Sequence, residues 1–294
     1  MIDKTKWFSD CGWGVFCHWL GAPPSSDGGA ELTAEVWNRQ VDAFDAEGLA
    51  RQLEAIGAPY FFITIGQNSG HYIAPNDAYD EHVGIQPSKC SRRDLVADLY
   101  DVLHPREIEL LVYLPSGAPA ADPVAVSRLG WEWGFEGGWP GGWHAGRTGK
   151  RLSEFQRKWE EVVREWSMRW GPKVRGWWID GCYFADEMYR HSDEPNFHSF
   201  AAALKAGNPD ALVAYNPGVL TPVICYSEYE DYAAGEISTA LPECPGPWVE
   251  RNGHEARYHV LSYLGESWCK GKPRFPDELV VGYTKHVTSK GGVI

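Results

Sequence analysis

From end to end the chain alternates apolar runs of strand length with amphipathic stretches of helix length. That rhythm restricts it to parallel strands joined by crossover helices. Strands are expected at residues 14–19, 60–65 and 109–114, then at Gly176–Asp180 and Leu212–Tyr215. Weaker signals at 223–229 and 260–264, and a short run at 291–294, would supply the rest. Helices are expected at 44–56, 94–103, 152–170, 196–206 and 276–288. The third is the best defined. Phe155, Trp159, Val162, Val163 and Trp166 follow helical spacing, charges fill the other face, and Ser153 with Gln156 resembles a capping box. With no internal repeat and no linker, the expected fold is α/β. It is a single (β/α)8 TIM-like barrel domain over residues 1–294, allowing for irregularity and a short last strand.

Long loops, at 21–29, 66–87 and 116–149, follow the first three strands, whereas connections before strands are short. In such a barrel the loops after strands build the catalytic face. The third loop carries Trp131, Trp133, Trp139 and Trp143, which would serve as a sugar platform or lid, or simply as aromatic anchors.

The formal net charge is −13, with 27 basic against 40 acidic residues, which argues against a nucleic-acid or anionic-membrane partner. No apolar run approaches the ~20 residues that span a bilayer. The first seven residues are charged without an apolar stretch, so no signal peptide is read there. A cytosolic protein and a secreted one whose leader has been removed both fit. The seven cysteines are odd in number and irregularly spaced, and read as buried thiols. Neither Cys-x-x-Cys nor His-x-x-x-His occurs, so neither a metal nor another cofactor is expected. The chain is rich in aromatic residues, with 15 Trp and 14 Tyr. Indole faces stack on sugar rings, so the excess suits a carbohydrate partner; a large tryptophan-rich core explains it equally well.

Asp180 ends the apolar run Trp177-Trp178-Ile179 and is followed by Gly181. A carboxylate at the C-terminal end of a barrel strand faces the mouth, where it is more often a working group than a helix cap.

Several segments, in order along the chain, resemble the alpha-L-fucosidase family, glycoside hydrolase family 29. They are Trp7-Phe-Ser-Asp-Cys-Gly-Trp-Gly-Val-Phe-Cys-His-Trp19, Phe44-Asp45-Ala46, Ala55-Ile-Gly-Ala-Pro-Tyr60, Arg93-Asp94-Leu95-Val96, Trp178-Ile-Asp-Gly181, Ser267-Trp268 and Ser289-Lys-Gly-Gly292. The resemblance implies a retaining exo-glycosidase acting on a terminal alpha-L-fucoside. Asp180 would be its nucleophile and His18, beside Trp19, a ligand of sugar hydroxyls. It further implies sugar contacts from Trp37, Tyr113 and Trp178. Where the family carries His-His-Asp-Gly, this chain has Gly66-Gln67-Asn68-Ser69-Gly70-His71. Gln67, Asn68 and His71 would then contact the sugar, and because the polar set has changed, the substrate is read as fucose or a sugar of related configuration, such as galactose or arabinose.

A retaining mechanism needs a second carboxyl group as acid and base. Asp231-Tyr232-Ala-Ala-Gly235-Glu236 resembles a family segment whose glutamate serves this role in some members, so Glu236 is the first candidate and Glu228 the second. Glu230, Asp231, Glu243, Glu250 and Glu255 crowd the same region. Two rival readings are a sugar-binding barrel that has lost catalysis and a barrel enzyme of phosphorylated metabolites. The latter lacks a good glycine-rich turn after the late strands.

Overall fold

The computed structural model describes residues 3–21, 32–132, 150–268 and 271–294. Trp133, Trp139, Trp143 and Cys269 lie outside them. Five strands form one parallel sheet in chain order: β1 (Val15–Cys17), β2 (Tyr60–Thr64), β3 (Glu109–Pro115), β4 (Gly176–Asp180) and β5 (Leu212–Tyr215). The helices are α1 (Lys6–Cys11), α2 (Ala34–Asp42), α3 (Ala46–Ala55), α4 (Asp77–Val83), α5 (Leu95–Leu103), α6 (Pro123–Leu129), α7 (Ser153–Trp170), α8 (Ala185–Met188), α9 (Phe197–Leu204) and α10 (Asp277–Ser289). An antiparallel hairpin, β6 (Trp248–Arg251) with β7 (His254–Arg257), completes the set.

The central strands read as unbroken apolar runs because both of their faces are covered. Alternate residues belong to different clusters. Phe61, Ile63, Val112, Leu114, Trp177, Ile179 and Val213 pack with α3, α5, α7 and α9. Tyr60, Phe62, Leu111, Tyr113, Trp178, Leu212 and Ala214 pack on the other face, with Phe8, Tyr232, Ala234, Leu261 and Val293. The sheet is therefore covered by a separate apolar cluster on each face.

Closure by ladders is absent among the described residues. Beyond β5 the backbone is joined by single bridges, Tyr232 with Arg257, Glu236 with Leu261 and His259 with Val293. Backbone hydrogen bonds still lead on from β5 (Asp231 N to Val213 O, 2.8 Å), through Ala233 N to Arg257 O at 2.9 Å and Val260 N to Val293 O at 3.0 Å. They reach the start of β1, where Gly14 N donates to Ile294 O at 2.9 Å. The expected strand at 223–229 does not form. Its backbone instead folds around a carboxylate: Tyr226 N donates to Glu230 Oε1 at 2.6 Å.

Half of the ten described helices start at an acidic or amide cap. Asp45, Asn76, Asp94, Asp122 and Asn196 each accept a backbone N–H of the first turn, a device worth about 1 kcal/mol apiece. The expected capping box on α7 is not made. Ser153 is already helical, Leu152 precedes it without a side-chain cap, and Gln156 is buried, donating to Glu160 Oε1 and Asn196 O at 2.9 Å each.

Seven of the twelve described tryptophans belong to the core. Trp37, Trp131, Trp159, Trp166, Trp170, Trp177 and Trp178 are all buried. Several tie their indole N–H to the ends of neighbouring elements: Trp159 to Pro115 O, Trp166 to Pro75 O and Trp37 to Tyr72 O. Indole burial gives large apolar area, and the N–H partner avoids the cost of an unpaired donor. The six described cysteines are free thiols.

Candidate active site

Asp180 is the last residue of β4, level with Pro115 of β3. Gly181 follows in the left-handed region, at φ +69°, and turns the chain away from the sheet while its N–H donates to Asp180 Oδ1 at 2.7 Å. The Tyr113 hydroxyl on β3 donates to the other oxygen, Oδ2, in a short hydrogen bond, and Gln67 Nε2 donates to the same hydroxyl at 2.9 Å.

Asn216, the residue after β5, completes the arrangement. Its Nδ2 donates to Asp180 Oδ1 at 2.8 Å and to Glu236 Oε2 at 2.6 Å. Those two carboxylate oxygens are thus no farther apart than the two hydrogen bonds laid end to end. Glu236 reaches this position by a close backbone approach. Gly235, at φ +60°, lies so near the 257–261 segment that a Cβ there would sit 1.8 Å from His259 O. Only glycine fits.

Electrostatics separates the two carboxyls from ordinary surface acids. Burial, then the charge of Asp180, pushes Glu236 up to about 7, against the opposing hydrogen bond from Asn216. Burial also raises Asp180, and there the donors Tyr113, Asn216 and Gly181 all oppose it. Both side chains remain partly exposed, so the pair is open to solvent.

The other acids of the crowded region are turned elsewhere. Glu228 is exposed and bonded to Asn252 at 2.6 Å. Glu230 is buried against loop backbone, and Asp231 pairs with Lys205 at 2.6 Å. Glu243, Glu250 and Glu255 are on the surface, the first of them 3.2 Å from Lys290.

Of the remaining sequence candidates, His18 stands beside Tyr113, ring centroids 4.7 Å apart, with Nδ1 2.6 Å from Thr64 Oγ1. Burial lowers its pKa to about 4, so the ring is neutral near pH 7. Trp178 stacks on Tyr113 at 5.5 Å, and its N–H donates to Ala234 O at 3.0 Å; it is floor, with 2% exposure. Trp19 is half-buried and stacks on Trp37 at 5.1 Å. Trp37 itself is a core residue with 1% exposure, placed behind Trp19 without an open face. Gln67 joins the site through Tyr113, while Asn68 is held by its backbone oxygen, which accepts from Ala121 N at 2.8 Å. His71 is buried edge-on to Trp37, and neither ring nitrogen has a hydrogen-bond partner. The structure thus gathers Asp180, Glu236, Tyr113, Gln67, His18 and Trp178, and leaves Glu228 and Trp37 outside. Asn216 was not anticipated; its position just after a strand, like that of Gln67, was the available signal.

A cavity of about 690 Å³ opens between β1, the 259–264 segment and α10. His18 and Trp268 line it; Asp180 and Glu236 do not. The carboxyl pair lies outside this hollow. Among the described residues no three His, Cys, Asp or Glu side chains are grouped to hold a metal ion, and no helix is long and apolar enough to cross a membrane.

No family profile and no curated protein sequence matches the chain. Solved structures do. An endo-fucoidan hydrolase from glycoside hydrolase family 107 superposes with a TM-score of 0.67 at 15% identity, over 100% of this chain and 86% of that one. The fold is shared with glycoside hydrolases. A second endo-fucoidan hydrolase of that family gives 0.71 at 16% identity, over 99% of this chain and 49% of its own length, so this chain spans about half of it. An alpha-L-fucosidase of family 29 from Bacteroides thetaiotaomicron, a trapped covalent intermediate made with 2-fluoro-fucosyl fluoride in a Glu-to-Gln mutant, gives 0.62 at 16% identity, over 100% and 68%. The resemblance expected from sequence was to family 29 alone; the structural likeness extends to family 107 as well.

Proposed function

We propose that the chain is a retaining glycoside hydrolase, with Asp180 as nucleophile and Glu236 as acid and base, acting on alpha-L-fucose or a related sugar at a glycan end. The observation that carries this is the bridged pair. Oxygens linked through one Asn216 nitrogen by bonds of 2.8 and 2.6 Å lie within the roughly 5–5.5 Å used for retention, and well short of the roughly 6.5–9.5 Å that leaves room for an inverting water. The activities of the structural neighbours, endo-fucoidan hydrolase and alpha-L-fucosidase, support the sugar class, and the trapped covalent intermediate of one supports the two-step chemistry. We also read the arc of bridges beyond β5 as the rest of an irregular (β/α)8 TIM-like barrel, forming a single domain.

In the first step an Asp180 oxygen bonds to the anomeric carbon as the glycosidic C–O bond breaks, and Glu236 passes its proton to the leaving oxygen. The three donors around Asp180 favour its charged form, while Glu236 has only Asn216, so the proton belongs on Glu236. Esterification removes the Asp180 charge that helped hold Glu236 up. Its pKa then falls, and the same carboxylate takes a proton from water as the water oxygen attacks the anomeric carbon and the ester bond breaks. Neutral His18, Trp19, Gln67 and Asn68 would hold the ring.

The test is labelling with 2-fluoro-fucosyl fluoride followed by peptide mass spectrometry. A single glycosyl adduct on Asp180 is expected. Turnover of an aryl fucoside with no adduct in any peptide would overturn the covalent mechanism. A chain that binds fucose with neither turnover nor labelling would be a sugar-binding barrel instead.

A further inference from the structure

We propose that Asn216 is the positioning residue that decides which oxygen of Glu236 carries the catalytic proton, an assignment that rests on Asp180 and Glu236 being the working pair. The amide orientation is fixed by its other end: Asn216 Oδ1 accepts from Gly218 N at 3.1 Å, so Nδ2 must face the carboxyls. Its two protons are then both committed, one to Asp180 Oδ1 and one to Glu236 Oε2. An oxygen that accepts a short hydrogen bond from an amide cannot also present a proton along that line. The acid proton therefore sits on Oε1, the oxygen that Asn216 does not hold, where it can meet a leaving group.

The backbone of Asn216 is equally constrained. Its N–H donates to Ile179 O at 2.7 Å and its carbonyl accepts from Cys182 N at 2.8 Å, so it is clamped to the backbone on both sides of Asp180, in β4 and just beyond it. The side chain is wholly buried. A rigid donor of this kind keeps Glu236 in register through both steps, before and after Asp180 loses its charge. The titratable neighbours of Glu236 are Asp180 and, across the site, Tyr183.

The experiment compares Asn216→Asp and Asn216→Ala with the wild type. The readouts are kcat/KM against pH on 4-nitrophenyl α-L-fucopyranoside and the ¹³C carboxyl shift of Glu236 in protein labelled with [δ-¹³C]glutamate, the resonance assigned by its loss in Glu236→Gln. In Asn216→Asp an acceptor replaces the donor at constant size. Glu236 is expected to titrate at least about one pH unit higher than in the wild type, with kcat reduced about 100-fold and KM changed less than about 3-fold. Asn216→Ala should move the titration upward less. An unmoved Glu236 titration in both variants overturns the proposal, whether or not activity or melting temperature falls. The carboxyl titration needs no turnover, so it judges Asn216 even if Asp180→Ala keeps full activity and the hydrolase reading itself fails.

Discussion

Tyr113 donates its hydroxyl proton to Asp180 Oδ2, the carboxylate oxygen that Asn216 does not touch. Hydrogen bonds to a charged group contribute about 1.5–3 kcal/mol. Tyr113→Phe is therefore expected to lower kcat/KM about 10- to 100-fold. It should also shift the acid limb of the pH profile upward, because a donor that favoured ionised Asp180 is gone. An unchanged acid limb would mean the tyrosine only packs.

Removing the Asp180 carboxylate should be far more severe. Asp180→Ala is expected to lose at least about 1,000-fold in kcat on an aryl fucoside. Near-full turnover by this variant would dismiss Asp180 from the chemistry.

The alkaline side of the profile belongs to Glu236. It must be protonated to act as an acid, and its folded value is about 7, so kcat/KM should fall as pH rises through 7. Glu236→Gln, assayed with a leaving group that needs no protonation, should keep the first step and lose that alkaline limb. Survival of the limb would assign it to another group.

Stability has its own pH signature in Glu230. Burial raises this carboxyl from 4.5 to about 8, so the folded state holds a proton that the unfolded chain releases. Its stabilising contribution is full below about 4.5 and is lost as pH rises through about 8. The wild-type melting temperature should decline between pH 5 and 9, and Glu230→Gln should flatten that slope. Parallel slopes would refute the linkage.

Helix α7 predicts a purely structural effect. Trp166 is fully buried and its N–H donates to Pro75 O at 3.0 Å. Trp166→Ala should cost about 3–5 kcal/mol in denaturant unfolding. A cost below about 1 kcal/mol would mean the cavity collapses.

The five parallel strands and α7 were legible because burial on both faces, or on one stripe, writes itself into residue spacing. Asp180 was legible for the same reason, as the acid that ends an apolar run. What came after β5 was not. There the backbone is held by single bridges and side-chain acceptors such as Glu230, which impose no period on the sequence. Glu236 was chosen through a resembling segment, whereas Asn216 depends on contacts between residues from three different segments that no local pattern records. Tryptophan content left sugar stacking and a large core equally open; among the described residues, Trp37, Trp131, Trp159, Trp166, Trp170 and Trp177 belong to the core between helices and sheet.

That use of tryptophan governs how the protein will look to light. Indoles sealed in the interior, as at Trp159, Trp166, Trp170 and Trp177, will emit toward the blue and report whether the scaffold is intact. Among the described residues Trp19 and Trp268 are half-buried beside His18, so under the proposed function it is their emission that a bound sugar should change.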